Sequence, residues 1–422
     1  MRNGVKAGAL LALALGCSTR SIVLDLRGTG GRGGFVASGG SVGTGGSDQH
    51  VCIAGDDPGP GRTPPVAFDG VGGMGAPGAP VLVQGRTTVV AGPPGAIAVA
   101  DFDADGRLDV VTASQGVVSV LVNLGEGAFA PRVDFPITAG WTSIATGDVN
   151  GDGRLDIVVG GDGGAGVELL LNMGGARFRN VALCLCGGLL PSVALGDLDG
   201  DGTTDVVIAN RMGEVEHTDG DLVVLMNDPA SPFSHAPAHY AAGAQPRSVA
   251  VRDLNGDDRP DVVVGGVCGV SVLLNAGNGQ LLAAVRYETV TGSVALEDID
   301  SDGDVDIVDT APGGWSADVL LNDGKGVFGA ASANPVANPT RTAVGDLNGD
   351  GFADLVIGQG KGDYGFGVML NDGDAGFGTL LEYAPDSGGY RAVGAGDIDG
   401  DAKRDVVVAG GRGVTVFLNR TP

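Results

Sequence analysis

The chain has 422 residues, 79 of them glycine, with 18% charged residues and a formal net charge of −26. That charge excludes nucleic acid or an anionic lipid surface as the main partner, because Lys and Arg must neutralise phosphates there and the chain has 25 of them against 51 acids. Abundant glycine with frequent Val, Leu and Ala predicts many short buried strands joined by tight turns, with helix a minor component.

In chain order, Arg2 and Lys6 form a basic start, Ala7 to Leu15 form an apolar run too short to span a bilayer, and Gly16 precedes Cys17. This is the layout of an export signal over residues 1–17. Its ending, Leu13-Ala14-Leu15-Gly16-Cys17, resembles the lipobox of bacterial lipoproteins with Ala14 and Leu15 in swapped order. The resemblance implies acylation at Cys17 and an exported lipoprotein of the outer membrane or cell surface, with secretion or periplasmic release as the alternative. An exported setting permits disulfides among Cys52, Cys184, Cys186 and Cys268, while buried or free thiols remain equally open. A zinc site is not indicated, since His50, His217, His235 and His239 do not cluster with the cysteines, and the His235/His239 pair falls in a Pro-rich loop between strands. Residues 18–80 read as a Gly-rich flexible tether. Within it Gly28, Gly30 and Gly33 match a dinucleotide-binding spacing, but no helix-forming segment follows to meet a pyrophosphate.

The rest of the chain is a repeat. A nine-residue pattern recurs seven times, at Asp101 to Asp109, Asp148 to Asp156, Asp197 to Asp205, Asp253 to Asp261, Asp298 to Asp306, Asp346 to Asp354 and Asp397 to Asp405. Each copy lies between an apolar segment and a β-branched run, which predicts two strands. A third strand ends near Asn123, Asn172, Asn227, Asn275, Asn322, Asn371 or Asn419, and Phe129, Phe178, Phe233, Leu281, Phe328 or Phe377 then opens a fourth. Four antiparallel strands per repeat, seven times over, predict an all-β fold, a seven-bladed β-propeller. Its blades fall at about 95–139, 142–189, 191–245, 246–291, 292–338, 340–388 and 390–420 within a domain spanning 81–422. The seventh repeat stops after its third strand, so the strand predicted at 81–92 is expected to complete it and close the ring.

Within each loop, Asp or Asn stands at offsets 0, 2, 4 and 8. The candidate ligands are Asp101, Asp103, Asp105 and Asp109; Asp148, Asn150, Asp152 and Asp156; Asp197, Asp199, Asp201 and Asp205; Asp253, Asn255, Asp257 and Asp261; Asp298, Asp300, Asp302 and Asp306; Asp346, Asn348, Asp350 and Asp354; Asp397, Asp399, Asp401 and Asp405. Alternate side chains on a tight loop converge on one point, and Ca2+ takes six to eight hard oxygens, so up to seven calcium ions are expected. Without a cation each loop would hold three or four anions close together. The freely varying residue at offset 6 fits a ligand that offers only its backbone carbonyl. Glycine at offset 5 lets the chain turn sharply, and Asp258 and Ala402 replace it in the fourth and seventh copies, so the seventh site is expected to be the weakest or most distorted. An EF-hand is excluded, because strands flank the loop and offset 11 carries no glutamate.

These residues resemble the FG-GAP/VCBS repeat family, the propeller of integrin α heads and of many bacterial surface proteins. The resemblance implies the fold and the metal, and leaves adhesion, lectin and enzyme-scaffold roles open. The face opposite the metal loops is expected to carry Trp141, Arg211, Arg247, Trp315, Arg341, Tyr364, Tyr390 and Arg391, residue types suited to gripping a protein or glycan ligand. The favoured reading is therefore a monomeric adhesion or ligand-binding module that is not an enzyme. The alternatives are the scaffold of a polysaccharide lyase or hydrolase, and a purely structural envelope protein. No convergent acid, base or nucleophile set stands outside the metal loops to favour the catalytic one.

Overall fold

The computed structural model describes residues 78–422 apart from 139, 141, 162–165, 185–188, 212–218, 230–231, 290–291, 312–313, 361–364, 384–389 and 412. Residues 1–77, which hold the expected leader with Cys17 and nearly all of the expected tether, lie outside the described residues. Those described contain strands and turns and no helix.

The nine-residue loops set the register of everything around them. In all seven blades the residue just before the loop pairs with the loop's last aspartate, from Ala100 with Asp109 in blade one to Gly396 with Asp405 in blade seven. The second strands, such as Asp109–Ser114 and Asp354–Gln359, are buried along their whole length because neighbouring blades cover both faces of the sheet. That is why these runs are continuous in Val and Ile and do not alternate. In blade one the strands are Ala96–Ala100, Asp109–Ser114, Val117–Leu121 and Val133–Pro136, paired in that order. Blades two to six repeat the plan.

Seven apolar clusters lie among the described residues, one at each blade-to-blade junction. Val111, Ile157 and Leu170 join blades one and two, and Val110 and Leu121 meet Val407 and Val416 between blades one and seven. Each fully buried Val or Leu contributes about 1.5–3 kcal/mol, so the junctions hold the blades in a ring. In blade seven, Leu82–Thr88 hydrogen-bonds along Gly413–Asn419 as the fourth strand. The Arg420 N–H donates to the Val81 carbonyl at 2.7 Å and extends that ladder by one bond.

One local expectation is corrected. The aromatics after the third strand do not generally open the fourth: Phe129, Leu281, Phe328 and Phe377 pair back onto Asn123, Asn275, Asn322 and Asn371 in a small return turn. Only Phe178 begins a fourth strand, Phe178–Cys184. Of the two readings left open for the cysteines, Cys268, in the turn between Asp261–Gly266 and Gly269–Leu273, takes the disulfide.

Blade five buries a pair of carboxylates that the sequence reading passed over. Asp309 pairs with Asp318 across the second and third strands and is fully buried. Burial pushes Asp309 up to about 7, with Asp318 adding to the rise and the Thr289 hydroxyl, which donates at 2.6 Å, pulling the other way. The unfolded chain releases this proton near pH 4, so between about pH 4 and 7 the folded state holds more protons and stability falls as pH rises. At pH 8 the variant Asp309→Asn is expected to exceed the parent in stability by about 4 kcal/mol, with the gap narrowing to about 1–2 kcal/mol at pH 5. Urea unfolding at the two pH values checks this, and a gap that does not change with pH would contradict it.

Candidate metal centres and the opposite face

The loop begins with Asx-type turns. In blade one Asp101 accepts N–H bonds from Asp105 and Gly106, and Asp105 accepts one from Arg107. Two positions take left-handed backbone, offset 5 as expected and offset 3 as well. Offset 5 has φ of 85° at Gly106, 62° at Asp258 and 67° at Ala402; offset 3 has 62° at both Ala104 and Ser301 and 72° at Gly151. Nothing crowds a Cβ at Gly106, Gly151 or Gly153, so glycine is used there for its φ and not for space. The signal for offset 3 was present in the sequence, because five of its seven residues are glycine. Ala402 follows the same path as glycine at the cost of strain. Ala402→Gly is therefore expected to stabilise the protein by about 1 kcal/mol, read from the shift in the thermal midpoint.

This winding gathers the carboxylates. Asp101, Asp103 and Asp109, then Asp197, Asp199 and Asp205, then Asp298, Asp300 and Asp302, then Asp397, Asp399 and Asp405 each bring one oxygen within 4.8 Å of the others. These are the four blades with aspartate at offset 2. The other three carry Asn150, Asn255 and Asn348 there, a neutral oxygen donor on the same loop. Burial raises the pKa of Asp103, Asp199 and Asp300, and the adjoining loop carboxylates add to it. Asp298 Oδ1 and Asp399 Oδ1 are buried and accept no hydrogen bond. Anionic oxygens in that state call for a cation, and a hard divalent ion suits an all-oxygen set. In blade seven Arg420 approaches Asp399 at 2.6 Å and Asp401 at 3.1 Å, a contact specific to that loop.

The aspartate at offset 8 also does something the spacing did not reveal. In all seven blades it is at most 1% exposed, and its two oxygens accept N–H bonds of 2.7–3.1 Å, one from offset 1 of its loop and one from the asparagine ending the third strand. Burial pushes Asp109, Asp205, Asp306, Asp354 and Asp405 up to about 6 despite those bonds. The same asparagine then donates from Nδ2, at 2.6–2.8 Å, to the offset-1 carbonyl of the preceding blade. Asn123 reaches Ile398 in this way, so the chain of amide bonds runs through the junction between blades seven and one.

Offset 6 departs from expectation. Its side chain is used: Arg107, Arg154 and Arg259 each pair with the offset-4 aspartate and donate from Nε to the carbonyl of the third-strand asparagine. Thr203 makes the same two contacts through its hydroxyl, and Lys403 donates to the Thr421 carbonyl. A long donor there ties the loop to the outer part of the blade, which a carbonyl alone would not do.

The described residues among those expected on the opposite face differ in burial and in place. Trp141 and Tyr364 lie outside the described residues, as does the Arg211 side chain at the end of Asp205–Arg211. Trp315 is 46% exposed, and Arg247 and Arg391 are exposed. Tyr390 is 7% exposed and packs with Phe366, Tyr383 and Phe417, so it serves the core between blades six and seven. Arg341 lies on Pro339–Gly345, the innermost strand of its blade, and borders a cavity with residues of three other blades.

A family model described as FG-GAP-like repeat matches in six overlapping windows, residues 101–159, 148–208, 197–264, 253–308, 298–357 and 346–408. Among solved structures the chain is similar to an Agrocybe aegerita lectin whose structure concerns recognition of non-reducing terminal N-acetylglucosamine, at 23% identity and a TM-score of 0.51, covering 70% of this chain and 81% of that one. It is also similar to BBS1N, solved in complex with ARL6DN, at 12% identity and a TM-score of 0.52, covering 81% and 98%. A search among curated proteins finds no match.

Proposed function

Because the chain belongs to the FG-GAP-like repeat family, we propose that it is a calcium-loaded propeller, exported and held at the cell surface or released, that binds a protein or glycan ligand. The observation that carries the metal half is the set of four convergent aspartate triads, two of which include a buried oxygen with no hydrogen-bond partner. Carboxylates so placed repel each other by about 4 kcal/mol per pair at 4 Å and an effective dielectric of 20, and a divalent ion reverses the sign. Binding is favoured over catalysis because the carboxylates that gather among the described residues do so in the loops, where they would serve as metal ligands and as clamps on buried N–H groups. The exposed Trp315, beside the turn that precedes Ser316–Leu320, suits stacking on a sugar face.

The test is a glycan array probed with the full chain with and without calcium, starting from glycans ending in N-acetylglucosamine, the sugar read by the lectin of similar fold. Calcium-dependent retention that Trp315→Ala weakens about tenfold or more is expected. If the calcium-replete, folded protein is retained on no glycan and on no envelope protein, the binding role fails and a structural one takes its place.

A further inference from the structure

Five residues before the first loop aspartate, the innermost strand of each blade places one residue at the same level of the ring. In blades two to five it is serine. Ser143, Ser192 and Ser248 turn their hydroxyls to the next blade, accepting the N–H of Val193, Val249 and Val294 at 3.1–3.3 Å, and Ser143 and Ser192 lie 3.4 Å apart. Blade six breaks the pattern with Arg341. Next round the ring, blades seven and one carry Ala392 and Ala96, which leave room beside it.

That room is a cavity of about 70 Å³ bordered by Arg341, Ala392, Ala96 and Ser143, drawn from the first strands of blades six, seven, one and two. It lies on the axial side of the sheets, and the level is five residues, about 16 Å of strand, from the carboxylate loops. Among the described residues Arg341 makes no hydrogen bond and no ion pair. Solvent in the channel still touches the side chain, which is only half-buried overall, yet protein crowds its charged end and that desolvation alone lowers its pKa. A guanidinium offers five N–H donors, and among the described residues no protein acceptor takes those of Arg341.

We propose that the axial channel is a site for a small oxyanion, gripped by the Arg341 guanidinium. Paired N–H groups match two oxygens of a carboxylate, sulfate or phosphate, and the cavity has room for an ion of that size. The negative charge of the whole chain opposes anion approach, so the anion is expected to enter from the face away from the loops and to bind at millimolar rather than micromolar level. The site is independent of the glycan reading and stands or falls separately.

The test compares the full calcium-loaded chain with Arg341→Ser, which restores the residue that four other blades carry and so keeps the fold. Acetate and sulfate, and phosphate in a calcium-compatible buffer, are titrated into both chains by calorimetry and thermal melting. Sulfate stabilises proteins generally by exclusion from their surface, so the difference between the two chains is the reading. A saturable heat and midpoint shift in the parent, weakened about tenfold or more in Arg341→Ser, is expected. A response to acetate alone assigns a planar carboxylate, and a response to sulfate or phosphate assigns a tetrahedral ion. Equal responses in both chains, or none in the parent, overturn the proposal.

Discussion

Exhaustive chelation is expected to abolish the cooperative thermal transition of this protein or to lower its midpoint by tens of degrees. An ion bound only by the folded state at 100 times its dissociation constant adds about 2.7 kcal/mol, and the four aspartate triads together would add about 10 kcal/mol. That is comparable with the whole stability of a typical domain, about 5–15 kcal/mol. Removing the ions also restores the repulsion between carboxylates that the loop fold has pinned together. Calcium is expected to rescue the fold better than magnesium, which demands strict octahedral geometry and keeps its waters. The measurement is differential scanning calorimetry with metal counted by mass spectrometry; an unchanged melt after chelation, or less than one alkaline-earth ion per chain, would sink the metal reading.

What the sequence made legible was whatever repeats in one dimension. Seven aspartate-rich loops in one register, apolar runs on either side and the asparagine ending each third strand made the blade, its strand order and the loop face readable. Two things stayed hidden because they depend on contacts between blades. The asparagines, at Asn123 and its six equivalents, recur plainly, but nothing in one blade says that each amide reaches a carbonyl in the blade before it. The offset-1 residues, Phe102, Val149, Leu198, Leu254, Ile299, Leu347 and Ile398, are always apolar for a reason visible only in three dimensions: each is buried, gives its N–H to its own aspartate and its carbonyl to the next blade's asparagine. Arg341 was placed on a ligand face by reading it into the connection from one blade to the next, whereas it lies within the strand Pro339–Gly345. Loop position fixes the level of a residue but not whether it faces solvent, a neighbouring blade or the channel.

Asp205→Ala is expected to cost about 3–5 kcal/mol, and to do so whether or not metal is present. Asp205 is fully buried and accepts the N–H of Leu198 and of Asn227, each at 2.8 Å, so its loss leaves two buried donors unpaired in a gap where a carboxylate had been. Asn227→Ala should cost less, about 2–3 kcal/mol, by stranding the carbonyls of Val149 and Thr204, which its amide now holds at 2.7 and 3.1 Å. The two residues act through one network, so the double variant is expected to fall short of the sum by about 1–2 kcal/mol. Urea unfolding of the four chains in saturating calcium, repeated after chelation wherever a transition survives, separates the two duties of the aspartate. A ligand that did nothing else would lose its mutational cost once the ion was gone, whereas a clamp keeps it, because the N–H groups of Leu198 and Asn227 still face an empty place.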